Sequence, residues 1–121
     1  MNDPKPIVVL SIYEPANAEL MNSVLRNYKV INALNADEAI PHIEKEKPFV
    51  VISDVTNGGY KLYDYVTKHS PTTKIIFVDG GLLEREKVQG TVILDKPLDI
   101  FGLAGIVEQN LPEHLKRPDV A

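Results

Sequence analysis

Carboxylates and one lysine stand at the ends of short apolar runs, and any chemistry in this sequence must start from them. Asp54 closes the run 49–53, Asp79 closes 74–78, and Asp95-Lys96-Pro97 follows 91–94. Tyr13 and Glu14 come directly after the apolar run 7–12. If those runs are parallel strands, their C-terminal ends form one edge of a sheet, the edge where open α/β sheets bind ligands. Several carboxylates gathered there need a counter-charge, and Lys96 is the residue to supply it. Each aspartate also has a plain reading as a turn or cap residue. Lys96-Pro97 in the set weakens that reading.

Other candidates carry less. Gly80-Gly81 could make a backbone nest for an anion, although glycine pairs are common in turns. Asn57-Gly58-Gly59 reads as a tight turn. His42, His69 and His114 have no ligand spacing, so neither a metal cluster nor a nucleophilic triad is supported and no enzyme is expected. Tyr60 and Tyr63 share one side of a helix and Tyr65 lies elsewhere, a mixture of core and rim and no platform for stacked bases.

The elements that position these residues alternate. β-branched runs at 7–12, 29–33, 49–53, 74–78 and 91–94 read as strands, three of them apolar enough to be covered on both faces. Helical spacing falls between them. Residues 15–28 carry Leu20, Met21, Val24, Leu25 and Tyr28 on one stripe, with Pro15 suited to the first turn. Asn35 caps a helix over 36–46, in which Pro41 predicts a kink or a late start. Residues 60–69 give a third helix, 82–89 a fourth of barely two turns, and Asp99 caps a fifth. Five βα repeats predict a doubly wound parallel sheet with right-handed crossovers and helices on both faces, two on one and three on the other.

The 121 residues suit one domain, read as 1–111 with a tail or linker at 112–121. Thirteen Lys and Arg against 17 Asp and Glu leave a net charge of −4, which argues against a nucleic-acid surface. Cysteine is absent, so disulfides and thiol chemistry are excluded. No run is long enough to cross a membrane and the start is no signal peptide, so a cytoplasmic location is expected.

The segment Pro48-Phe-Val-Val-Ile-Ser-Asp54-Val55 resembles the third strand of a response-regulator receiver domain. Asp95-Lys96-Pro97-Leu98-Asp99 resembles that family's Lys-Pro signature, and Glu14-Pro-Ala-Asn-Ala-Glu-Leu20 its first loop and helix. The likeness runs from about Lys5 to Leu111. It implies a flavodoxin-like sheet in the order 2-1-3-4-5 with five helices, the fourth shortened. It places Asp54 at the phosphoacceptor position and Lys96 where a lysine reaches the phosphate. Pro97 would follow a cis bond, and the Thr56 carbonyl would bind a cation. A sensor histidine kinase or another signalling protein is the implied partner, and self-association into a homodimer is open.

The pocket departs from the family pattern. Phosphoryl transfer to a carboxylate uses a magnesium ion held by hard oxygens. The family's acidic pair is replaced by Ile12 and Tyr13, and Glu14 remains one place along. The hydroxyl residue at the end of the fourth strand is replaced by Asp79. There a carboxylate about 4 Å from a phosphate would cost on the order of 4 kcal/mol at an effective dielectric of 20. Ile93 stands where the switching aromatic would be, and the loop after Asp54 is about three residues short. Magnesium is therefore doubtful; Glu14, Asp54 and Thr56 are its candidate ligands, and a site rebuilt from Glu14, Asp54 and Asp79 is an alternative. The sequence is thus read as a receiver domain in two-component signalling with weak or no phosphorylation. A phosphorylation-independent pseudo-receiver that binds proteins is the alternative, and a small flavin or nucleotide binder is a third reading. With Lys96 shared by Asp54 and Asp79, loss of Asp79 should cost little and loss of Lys96 about 1–3 kcal/mol.

Overall fold

The computed structural model describes residues 5–116, so the start of the chain and the tail at 117–121 lie outside the described residues. Five strands, β1 (Ile7–Ser11), β2 (Lys29–Ala33), β3 (Val50–Asp54), β4 (Lys74–Asp79) and β5 (Val92–Asp95), form one sheet in the order β2-β1-β3-β4-β5. All four pairings are parallel. The strand order is the one the family likeness implies, and the interior place of β1 agrees with its unbroken apolar run.

Alternation along the strands divides the core between the two faces. Val8 and Leu10 of β1, Val50 and Ile52 of β3, and Ile76 and Val78 of β4 face one side. There they meet Met21 of α1 (Pro15–Val24) and Leu103 and Val107 of α4 (Leu103–Gln109). Val9, Val51, Ile75 and Phe77 face the other side and meet α2 (Ala36–Glu46) and α3 (Gly59–His69). Ala39, Ile43, Leu62 and Val66 are the buried helical residues of that layer. Buried apolar side chains of this size are worth roughly 1.5–3 kcal/mol each for the larger ones, which makes the two layers the main source of stability.

The α-helices among the described residues are these four, two on each face, and the fourth βα unit is the place where the expectation fails. Between β4 and β5 the backbone makes only a 3-10 turn, Arg85–Lys87. Glu84, Arg85, Glu86 and Lys87 are all exposed, so the segment has no apolar stripe whose burial would offset helix nucleation. Its apolar residues Leu83 and Val88 reach the second core layer without a helix, and Val88 is fully buried.

Pro41 neither breaks α2 nor delays it. The helix starts at Ala36, five residues before the proline. Its first turn is fixed reciprocally: Asn35 Oδ1 accepts the Glu38 N–H at 3.0 Å, and Glu38 Oε1 accepts the Leu34 N–H at 3.1 Å. Such a box, with the burial of Ala36, Ala39 and Ile43, outweighs the backbone bond that Pro41 forgoes. At the other end of the chain Leu111 is buried, and a 3-10 turn at Glu113–Leu115 seats Leu115 against the first core layer. No helix among the described residues is long and apolar enough to cross a membrane.

Candidate functional site

Asp54 ends β3 between β1 and β4, at the C-terminal edge of the sheet. The turn behind it is fixed by close approach. A Cβ at Gly59 would lie 2.9 Å from the Asp54 carbonyl oxygen and 3.2 Å from the Phe77 ring. Gly58 has φ +95°, and a Cβ there would lie 2.7 Å from that of Ala36. The Ala36 N–H donates to the Asn57 carbonyl at 3.1 Å, so the shortened loop is tied to the start of α2. Only glycine fits the left-handed backbone and the packing together.

Asp54 itself is half-buried, and its Oδ2 accepts the Tyr13 N–H at 3.0 Å. It opens on a cleft of about 240 Å³ that also holds Lys96 and Pro97 and is floored by Met21, Val78 and Leu98. The Lys96-Pro97 bond is cis. Lys96 is exposed, and among the described residues it makes no ion pair with Asp54 or Asp79. The cleft brings together Asp54, Lys96 and Pro97 of the expected set. Asp79 is not part of its lining.

Asp79 points the other way. Ile76 and Val78 face the first core layer and Ile75 and Phe77 the second, so alternation puts Asp79 on the second face. Its carboxylate is buried and its Oδ1 accepts three N–H groups: Gly81 at 2.8 Å, Leu82 at 2.9 Å and Leu83 at 3.1 Å. Burial pushes its pKa up, but the three backbone donors, with a smaller effect from the Arg85 charge, hold it below the usual carboxylate range. The glycine nest read from Gly80-Gly81 does exist in part, and the chain's own carboxylate fills it. Asp79 thus stands outside the lining of the Asp54 cleft, with its Oδ1 engaged by its own backbone.

The remaining positions are widely placed. Ile12 is buried, whereas Tyr13 is 56% exposed and contributes its backbone N–H to the site. Glu14 is exposed at the start of α1 without a side-chain cap. Thr56 is exposed, and its hydroxyl accepts from Asn57 Nδ2 at 3.3 Å. Ile93 is half-buried against the second layer. Among the described residues no three His, Cys, Asp or Glu side chains stand together to hold a metal, so Glu14, Asp54 and Asp79 form no rebuilt site. The donor set suits magnesium poorly. The positions after β1 offer no carboxylate pair, and one Asp54 oxygen is already engaged.

Sequence reasoning missed a second function of the tyrosines. Tyr60 Oη accepts the Glu84 N–H at 2.8 Å, and Tyr63 Oη donates to the Gln89 carbonyl at 2.9 Å. Two tyrosine hydroxyls of α3 therefore hold the segment that replaces a fourth helix. The signal was present as two tyrosines three apart, on a helix facing a segment too short to cover the sheet.

The sequence matches no protein-family model and no curated protein. Solved structures do match. The signal receiver domain of an HD domain-containing protein from Pseudomonas fluorescens superposes with a TM-score of 0.80 at 21% identity, over 92% of this chain and 97% of that one. The chemotaxis response regulator CheY4 of Vibrio cholerae gives 0.77 at 20% identity, over 90% and 100%. The receiver domain of the hybrid histidine kinase CckA gives 0.74 at 26% identity, over 88% and 99%. In strand order, crossovers and structural likeness, this chain has the fold of a response-regulator receiver domain.

Proposed function

We propose that this chain is a receiver module of two-component signalling that works through protein contacts and is weakly phosphorylated or not phosphorylated at Asp54. The reading is carried by Asp79. At the strand end where a receiver needs a group to meet the phosphoryl oxygens, its carboxylate is bound to three backbone N–H groups on the opposite face of the sheet. The pocket around Asp54 has the supporting features of such a protein. Lys96 is near to hand, yet no acidic pair follows β1 to gather magnesium, and phosphoryl transfer depends on that cation to neutralise charge. The partner is a sensor histidine kinase or another signalling protein, in keeping with the receiver structures that the chain resembles. The fold serves here as a binding surface and not as an enzyme.

Titration with magnesium and beryllofluoride, a stand-in for the aspartyl phosphate, followed by amide NMR, tests this. The expected spectrum moves little at millimolar concentrations, with no new set of peaks around residues 54–59 and 79–97. A saturable second spectrum that Asp54→Asn abolishes would overturn the proposal in favour of a working phosphorylation switch.

A further inference from the structure

The segment 80–91 is held at both ends by side chains that lie outside the lining of the Asp54 cleft. At its start the Asp79 carboxylate gathers three successive N–H groups of residues 81–83. Tyr60 takes the next N–H, that of Glu84, and Tyr63 binds the Gln89 carbonyl near its end. Leu83 and Val88 reach the second core layer between these points, and the Thr91 hydroxyl donates to the Val88 carbonyl at 2.7 Å. Arg85 pairs with Asp95 at 2.8 Å across the edge of β5. Four consecutive backbone donors are thus satisfied by side chains in a segment that has almost no regular structure of its own. A loop held only by its ends would leave them to water.

We propose that residues 80–91 form a fixed clasp, positioned by Asp79, Tyr60 and Tyr63, whose conformation is independent of the chemical state of Asp54. Asp79 is a positioning residue in this account. It sits one residue beyond Val78, which floors the Asp54 cleft, but its charge is spent on the clasp from the opposite face. The surface that the clasp presents is therefore preformed in the unmodified protein. The proposal deepens the reading of a phosphorylation-independent module and rests on it for its functional meaning, although the clasp can be tested by itself.

The test is amide hydrogen exchange, read residue by residue on the full chain, for wild type, Asp54→Asn, Asp79→Asn, Asp79→Ala and Tyr60→Phe. In wild type the N–H groups of residues 81–84 should exchange at least about tenfold more slowly than an unprotected loop. Asp79→Ala should remove that protection at 81–83, Asp79→Asn should retain part of it, and Tyr60→Phe should release Glu84 alone. Asp54→Asn should change none of them by more than about twofold. Tyr60→Phe keeps the half-buried ring and guards against loss of folding in Asp79→Ala. Wild-type exchange at 81–84 as fast as an unprotected loop, or a Tyr60→Phe variant with unchanged Glu84, would overturn the clasp. Altered exchange at 81–84 in Asp54→Asn would overturn its independence. Should beryllofluoride bind Asp54 while 81–84 stay protected and unshifted, the functional reading fails and the clasp stands.

Discussion

At the scale of single residues, Asp79 and Lys96 exchange the importance that their sequence positions suggest. Charge balance at the strand ends makes Lys96 the residue whose loss is costly and Asp79 a source of repulsion. In the structure the carboxylate is buried on three backbone donors, whereas the lysine is exposed and unpaired with either aspartate. Hydrogen bonds to a buried charge are worth about 1.5–3 kcal/mol. Asp79→Ala should therefore lower stability by about 2–3 kcal/mol in urea unfolding, because it also leaves N–H groups without a partner. Lys96→Met should change stability by no more than about 0.5 kcal/mol, as expected of a surface position. The pH dependence follows from the lowered pKa of Asp79. A carboxyl whose folded pKa lies below its unfolded value of about 3.9 contributes its full stability above that value. The contribution is lost as the pH falls through the folded pKa. Asp79→Asn should accordingly flatten the acid limb of the stability profile below about pH 4, and an unchanged limb would contradict the assignment.

At the scale of elements, legibility followed the strength of the local signal. Unbroken apolar runs at Val8 to Leu10 and Val50 to Ile52 can be satisfied only by strands covered on both faces, and both were found central. Asn35 announced the start of α2 by side-chain chemistry, whereas Asp99 caps the 3-10 turn Ile100–Gly102 that leads into α4. The segment 82–89 misled because Leu82, Leu83 and Val88 admit a helical stripe, although only Leu83 and Val88 reach the core. What decides its shape is tertiary: one carboxylate before it and two hydroxyls on α3, none of which is visible as periodicity. Asp79 was legible as a strand-end residue and illegible in direction, because strand alternation decides its face only once the layers are known. The short turn after Asp54 carries a prediction at this scale. Gly58→Ala forces a Cβ into that of Ala36 and a side chain onto a φ of +95°, so it should cost about 1–3 kcal/mol. Gly90 also has positive φ but faces open space, so Gly90→Ala should cost less; equal losses in thermal melts would show that the close approach contributes nothing.

At the scale of the whole molecule, two apolar layers hold a sheet whose C-terminal edge displays two separate sets of polar groups. On one face Asp54, Lys96 and Pro97 share a cleft with an apolar floor. On the other, Asp79 and the hydroxyls of α3 tie down the connection between β4 and β5. A phosphoryl switch would need those two faces to communicate through the end of β4. The chain places there a carboxylate whose Oδ1 is bound to its own backbone, and among the described residues no three His, Cys, Asp or Glu side chains gather around Asp54. The most direct measurement of this account is the intact mass of wild type and Asp54→Asn after incubation with acetyl phosphate and magnesium at millimolar concentration. The account predicts identical unmodified masses for the two proteins. A mass gain of one phosphate in most of the wild type, absent from Asp54→Asn, would contradict it.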